Sequence, residues 1–163
     1  MYSKARSAGH PIHPMLVAFP LAFYTATLAA LLAYIGTREA FWYRFAMVAN
    51  VSGIATAVIA SIPGAIDLVA LPRTSRARQV GLNHAGFHLI ATGLFVVTAL
   101  VLYQTWSGRV MVDGEAAFDA TIPLAIAVVA WLSMIIAGSL GWTPVQTHHV
   151  GIARIPTSMA MPR

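Results

Sequence analysis

Residues 14–35, PMLVAFPLAFYTATLAALLAYI, decide the fold, because they are 22 consecutive positions without a formal charge. A helix of that length rises ~33 Å at ~1.5 Å per residue, which is enough to cross the hydrocarbon core of a bilayer. A secretory signal peptide has a shorter apolar region of ~7–15 residues and precedes a soluble chain. Three further apolar runs follow here, so this segment is predicted to be the first of several transmembrane helices.

The whole chain divides into apolar spans and short polar connections. The four spans are predicted at about residues 14–35, 45–71, 82–106 and 121–142. The second contains one charge, Asp67, and Pro63 predicts a kink within it. The fourth is expected to stop before Pro144. The predicted fold is therefore all-α, an integral membrane four-helix bundle, with an N-terminal segment at 1–13 and a polar tail at 143–163.

Composition supports a membrane protein and excludes several kinds of site. The 163 residues are 58% hydrophobic and 9% charged, whereas a soluble domain is ~25% charged. With no Cys, the chain can form no disulfide, no Cys-ligated zinc site and no iron–sulfur cluster of its own. The basic pI, about 10.3, reflects Lys and Arg beside the spans, so a nucleic-acid partner is not expected.

The distribution of Lys and Arg predicts the orientation. One face carries Lys4, Arg6, Arg73, Arg76, Arg78, Arg154 and Arg163, and the other carries Arg38, Arg44 and Arg109. Because the richer face is cytoplasmic in membrane proteins, both termini are predicted inside, in a multi-pass protein of the inner (plasma) membrane. Aromatic residues near the span ends are predicted to lie at the lipid interface; they are Trp42, Tyr43, Tyr103, Trp106 and Trp142.

Small residues indicate which helix faces meet, since membrane helices associate by close backbone approach. In the second span the predicted inner stripe is Gly53, Ala57, Ala60, Gly64 and Asp67. In the third it is His84, His88, Ala91, Phe95 and Thr98. Tyr24 and Asn50 are predicted to hydrogen-bond between helices.

Ionisable side chains converge on the predicted cytoplasmic end. The six histidines are His10, His13, His84, His88, His148 and His149, all near that end of a span. A lone carboxylate in hydrocarbon costs ~2.5–3.5 kcal/mol on insertion scales, so Asp67 is expected to be paired, hydrated or functional. Histidines are its available partners, although histidines at helix ends can also be simply solvated.

The segment Gly9-His10-Pro11-Ile12-His13-Pro14 holds two imidazoles on a stiff lead-in, because each Pro restrains the preceding residue to extended conformations. Pro14 suits the first turn of a helix. Two interpretations stay open. Either these histidines are ligands, or His13 caps the first helix while His10 binds a headgroup phosphate.

The chain resembles the DUF2231 family of predicted bacterial and archaeal membrane proteins over roughly residues 9–142. The likeness is carried by the opening motif His10 to Val17 followed by Phe19-Pro20, by Asp67-Leu68, and by His84 to His88. It implies a four-helix membrane domain. Some relatives are fused to Rieske-type domains, which implies redox partners. The resemblance does not choose a reaction.

The leading hypothesis is a metal or haem site at the cytoplasmic end of the bundle, with a possible redox association. A metal site would use His10, His13, Asp67, His84 and His88, and haem b would use His13 and His88. A carboxylate beside the histidines favours Fe, Zn or Mn over bis-imidazole haem.

Other readings stay open. The alternative is a small accessory subunit of a larger membrane or redox complex, or a homodimer, without a cofactor of its own. A transporter finds little support. No enzymatic motif is visible in the sequence.

Overall fold

A computed structural model describes residues 4–8, 10–112 and 115–146. Within these residues nine elements follow one another: β1 (Arg6–Ser7), β2 (His10–Pro11), α1 (Ile12–Leu16), α2 (Ala18–Thr37), α3 (Ala40–Ala70), α4 (Arg76–Ser107), β3 (Val110–Val112), β4 (Glu115–Ala117) and α5 (Thr121–Gln146). The strands form two antiparallel pairs, β1 with β2 and β3 with β4. The remaining elements are helices, as predicted.

In the part of the chain that the structure describes, four helical segments are long and apolar enough to cross a membrane: Ile12–Thr37, Ala40–Ala70, Arg76–Ser107 and Thr121–Gly141. Large apolar side chains cover their outer surface; Val69 is 73% exposed and Leu89 is 70% exposed. An apolar surface of this extent suits lipid and would be a liability in water. The prediction of four membrane-spanning helices is confirmed.

The bundle consists of two helical hairpins. The most extensive contacts join α2 to α3 and α4 to α5, and smaller contacts join α3 to α4 and α2 to α5. Each helix therefore has two neighbours, which closes an up-and-down four-helix bundle. Trp131 of α5 also donates its indole N–H to the Thr25 hydroxyl of α2, at 3.0 Å.

The two hairpins repeat one packing pattern. On the first helix of each hairpin, Pro20, Tyr24, Thr27 and Leu31 recur at the same spacing as Ala91, Phe95, Thr98 and Leu102, and all eight are buried. On the second helix, Ala46, Asn50, Gly53, Ala57 and Ala60 recur as Pro123, Ala127, Ala130, Met134 and Ala137, and all ten are buried. The inner faces of the two halves thus occupy equivalent positions, as in membrane proteins built from internal repeats.

The repeat places equivalent side chains against each other. The rings of Tyr24 and Phe95, which hold corresponding positions, stack with centroids 3.7 Å apart and an interplanar angle of 3°. Gly53 makes room for this pair, because a Cβ there would lie 2.6 Å from the Tyr24 ring. The small-residue stripe predicted for the second span is confirmed at Gly53, Ala57 and Ala60, which are buried.

At the end of the bundle formed by the α2–α3 and α4–α5 connections, aromatic rings surround Phe118, which is 5% exposed. Its ring stacks on Tyr43 at 4.3 Å and on Trp106 at 5.1 Å, and meets Tyr34 edge-on at 5.8 Å. The Tyr34 hydroxyl accepts from the Phe118 N–H and donates to the Phe118 carbonyl. Tyr43, expected at the lipid interface, is fully buried instead, because the loop after α4 folds back over it.

Among the described residues, two prolines lie beyond the first turn of a helix, Pro63 in α3 and Pro144 in α5. Pro63 lies inside α3, as the sequence predicted. The fourth candidate span ends at Gly141, before Pro144, while helix α5 itself continues to Gln146. A proline removes one backbone donor and so weakens a helix without necessarily ending it.

Candidate functional site

The N-terminal segment folds back so that it can deliver His13 to the bundle. β1 and β2 pair with Arg6 opposite Pro11 and Ser7 opposite His10. Ala8 adopts a positive φ of 47° in the turn between them. The Ile12 N–H donates to the Ala5 carbonyl at 3.0 Å, and α1 begins at that residue. The segment thus ends in a fixed turn one residue before His13.

His13 docks on the second helix of its own hairpin. Its Nδ1 lies 2.8 Å from the carbonyl oxygen of Ala60. The ring also packs on Gly64, where an added Cβ would lie 2.8 Å from the imidazole. Gly64 follows Ala60 by one helical turn, so the absence of a side chain there opens the way to the Ala60 carbonyl.

His84 docks in the same way on the other hairpin. Its Nδ1 lies 2.7 Å from the carbonyl oxygen of Ala137, and a Cβ on Gly141 would lie 2.9 Å from its ring. Ala60 and Gly64 correspond to Ala137 and Gly141 in the repeat. Each half therefore contributes one histidine held by an Ala-x-x-x-Gly turn of its second helix.

The two docked imidazoles meet each other, and His88 joins them. The rings of His13 and His84 have centroids 5.9 Å apart and lie nearly perpendicular, at 80°. The ring of His88 is stacked at 6.3 Å from His84 and interacts with the backbone carbonyl of Ala57. We call His13, His84 and His88 the histidine trio. All three are half-buried.

The hydrogen bonds define the chemical state of two rings. A carbonyl oxygen can only accept, so Nδ1 of His13 and of His84 carries the proton. In the neutral imidazole the other nitrogen, Nε2, then has the lone pair. Both rings are thus held in the tautomer in which Nε2 can accept a proton or bind a metal.

Asp67 and His10 have partners in the N-terminal segment. Asp67 is half-buried, and its Oδ1 accepts from the backbone N–H groups of Lys4 at 2.8 Å and Ala5 at 3.1 Å. His10 is exposed, with Nδ1 at 3.0 Å from the Ala8 carbonyl oxygen. Asp67 therefore fixes the segment that carries His13.

Of the five residues proposed as metal ligands, the ring contacts bring together His13, His84 and His88. Within residues 4–8, 10–112 and 115–146, no group of three or more His, Cys, Asp or Glu side chains is arranged to hold a metal ion. His148 and His149 lie outside the described residues, as does most of the predicted polar tail.

Sequence reasoning missed Gly141 and the two carbonyl acceptors, Ala60 and Ala137. A signal for them was available. Gly64 was assigned to the inner stripe only as a small residue, yet Ala60-x-x-x-Gly64 has a counterpart in Ala137-x-x-x-Gly141. Ala60 and Gly64 lie near the end of the second span, and Ala137 and Gly141 lie near the end of the fourth. The span before each of these begins close to a histidine, His13 or His84.

Residues 9–154 match the family described as "Predicted membrane protein (DUF2231)". No curated protein and no solved structure matches the chain.

Proposed function

The chain belongs to the DUF2231 family of predicted membrane proteins, and we propose that it binds a metal centre through the imidazoles of the histidine trio. His13 and His84 are the principal ligands, one from each half of the bundle, and His88 stands beside them as a third imidazole. The metal is either an ion or the iron of a haem, with redox chemistry as the associated role.

One observation carries the proposal: both His13 and His84 donate Nδ1–H to a helix carbonyl. Histidines that bind metals usually donate their other ring N–H in this way, which fixes both the tautomer and the ring orientation. Two imidazoles that bind one metal through nitrogen at ~2.0–2.1 Å have ring centres up to roughly 6 Å apart. The measured 5.9 Å between the His13 and His84 centroids falls within that limit.

The donor set narrows the choice of metal. Imidazole suits Zn, Cu, Fe and Ni, whereas Mn prefers carboxylate oxygens. The sequence-based preference for a nonhaem ion depended on Asp67, whose Oδ1 here accepts two backbone amides. The proposal therefore does not need that carboxylate, and bis-imidazole haem and a histidine-bound ion share the same ligand chemistry.

The sidedness is part of the proposal. The excess of Lys and Arg at the end that carries the histidine trio supports a cytoplasmic location for that end. A metal centre there would exchange electrons with a cytoplasmic or membrane partner. The accessory-subunit alternative makes a different prediction, namely a protein with no metal of its own.

The test is metal analysis together with an optical spectrum of protein purified in detergent from cells supplied with iron, zinc and copper. We expect about one metal per chain. A Soret band would identify haem, and a stoichiometric metal without that band would identify an ion. His13→Ala and His84→Ala should each lose the metal, because each removes a ligand.

His10→Ala is the matched control, since His10 is an exposed histidine from the same segment that bonds only locally in the structure. It should keep the wild-type metal content. If wild type, His13→Ala and His84→Ala all contain the same amount of metal, the assignment is wrong. Metal-free wild type that also fails to bind added metal or haemin would favour the accessory subunit.

A further inference from the structure

Three buried polar atoms, apart from the histidine trio, lie on neighbouring helices of the bundle. They are the Tyr24 hydroxyl, the Asn50 Oδ1 and the Thr92 hydroxyl, and none has a hydrogen-bond partner among the described residues. Tyr24 and Asn50 are fully buried. Tyr24 was predicted to bond between helices and does not, whereas Asn50 does, through its Nδ2 donation to the Phe95 carbonyl at 3.2 Å.

Thr92 is unusual among the threonines of these helices. Thr25, Thr27, Thr37, Thr56, Thr98 and Thr105 each donate to the carbonyl four residues earlier. For Thr92 that acceptor would be the carbonyl of His88, and the bond is not made. Its hydroxyl instead faces the Tyr24 phenol without reaching hydrogen-bond geometry.

Phe95 lies beside all three residues. Its ring stacks on Tyr24 at 3.7 Å, its carbonyl receives Asn50, and Thr92 precedes it by one turn on α4. These positions lie near the middle of α2 and α4. The polar groups are therefore near the centre of the membrane span, where lone polar atoms are costly.

The internal repeat shows that packing alone does not require these polar groups. At the positions that correspond to Tyr24 and Asn50, the other half has Phe95 and Ala127, which are equally buried. By the same correspondence, the first half has Leu21 at the position of Thr92 and Val17 at the position of His88. Four polar residues thus replace apolar ones, and His88 and Thr92 are one turn apart on α4.

We infer that Tyr24, Asn50 and Thr92 hold internal water, and that with His88 they form a hydrated polar path from the histidine trio to the middle of the membrane. Internal waters make about three hydrogen bonds to polar groups that otherwise lack partners. Two hydroxyls and one amide oxygen are available here as partners for such water. A neutral ligand fits because a bare cation at this depth would lack a counter-charge.

The test is hydroxyl-radical labelling by X-ray radiolysis of metal-free protein in lipid nanodiscs, read by peptide mass spectrometry. Radicals formed from bound water oxidise the side chains beside it. We expect Tyr24 to be oxidised several-fold faster than Tyr43, which is equally buried but donates its hydroxyl to the Leu102 carbonyl. Equal rates for the two tyrosines would overturn the inference.

Two substitutions sharpen the experiment. Thr92→Val should abolish the fast oxidation of Tyr24, whereas Thr98→Val, which removes a hydroxyl already bonded to Leu94, should leave it unchanged. Fast labelling that persists in Thr92→Val would place the water elsewhere and also overturn the inference. Because the protein is metal-free, the result does not depend on whether the histidines bind a metal.

Discussion

The two ends of the bundle use buried polar groups in opposite ways. At the end with Phe118, the Tyr34 hydroxyl both accepts from and donates to the backbone of that residue. This hydroxyl therefore has its hydrogen-bond partners within the fold. At the end with the histidine trio, His13 and His84 each donate a hydrogen bond from one ring nitrogen to a helix carbonyl. The second nitrogen is left with a lone pair for chemistry.

This difference makes the end with the histidine trio the candidate functional end. Aromatic rings stacked around a loop residue can be explained by burial and by closed hydrogen bonds. Two imidazoles held against glycine and backbone, with a third beside them, are harder to explain by stability, because apolar residues would pack there at less cost. Substitutions at either end test whether the two ends differ in this way.

The largest effect is expected from Gly64→Ala and Gly141→Ala. The new methyl group would lie within 3 Å of the His13 or His84 ring, so the ring must leave its carbonyl acceptor. Forcing extra volume into a packed site costs about 1–3 kcal/mol in the free energy of unfolding. Metal content should fall at the same time, because the ring that moves is the proposed ligand.

Gly138→Ala, in the same turn of α5 as Gly141, is the control for these variants. A Cβ at Gly138 meets no atom within 4 Å, so its effect should stay within about 0.5 kcal/mol. Unfolding in detergent with increasing denaturant, together with metal analysis, measures both quantities. If Gly141→Ala behaved like Gly138→Ala, the docking of His84 on α5 would be wrong.

At the other end, Tyr34→Phe should destabilise the protein by about 1–3 kcal/mol without changing metal content. The substitution leaves the N–H and the carbonyl of Phe118 without their partner in a buried place. Tyr43→Phe should cost less, about 0.5–1.5 kcal/mol, because it removes one donation of 3.3 Å to a carbonyl already within α4. A loss of metal in Tyr34→Phe would show that the two ends are not independent.

The sequence predicted the four spans because apolar runs of this length have no other stable place than a bilayer. It also predicted that His13, His84 and His88 lie at one end, since every second connection returns to the same side. The docking of each ring could not be predicted in the same way. It depends on which carbonyl a glycine leaves open, as at Ala60 and Ala137, and spacing along one helix does not reveal the partner helix.

For two other residues, the prediction from the sequence rested on the residue type, and the tertiary contacts of the side chain gave a different outcome. Tyr43 has the composition of an interfacial residue but is buried by Phe118, which comes from a loop far along the chain. Asp67 looked like a ligand because it is the only carboxylate in a span, yet its Oδ1 accepts the amides of Lys4 and Ala5. In both cases a long-range contact outside the helices decided the outcome.

A smaller effect is expected from Asp67→Ala. It removes the acceptor of the Lys4 and Ala5 N–H groups, at a cost of about 1 kcal/mol, and the amides of both residues should exchange with deuterium faster. Asp67→Asn is the matched variant, because its carbonyl oxygen can still accept both bonds. If the two variants exchanged at the wild-type rate, Asp67 would not be what fixes this segment.

The smallest effect is expected at Asp119, on the opposite end. The backbone N–H of Thr121 donates to its Oδ1 at 2.9 Å; this bond, a second one from the Thr121 side chain and the nearby Arg38 hold the pKa of the carboxyl below its ordinary value of 3.8. A lowered pKa means that the charged form favours the folded state. The contribution is fully present above the ordinary pKa and is lost as the pH falls through the lowered one.

Asp119→Asn should therefore melt slightly below wild type near neutral pH, and the gap should close on acidification from about pH 5 downwards. Because Asp119 is fully exposed, solvent screens the interaction and the shift should be smaller than that of Asp67→Ala. A gap that stays constant down to the lowest pH would assign the effect to the changed side chain and not to its charge.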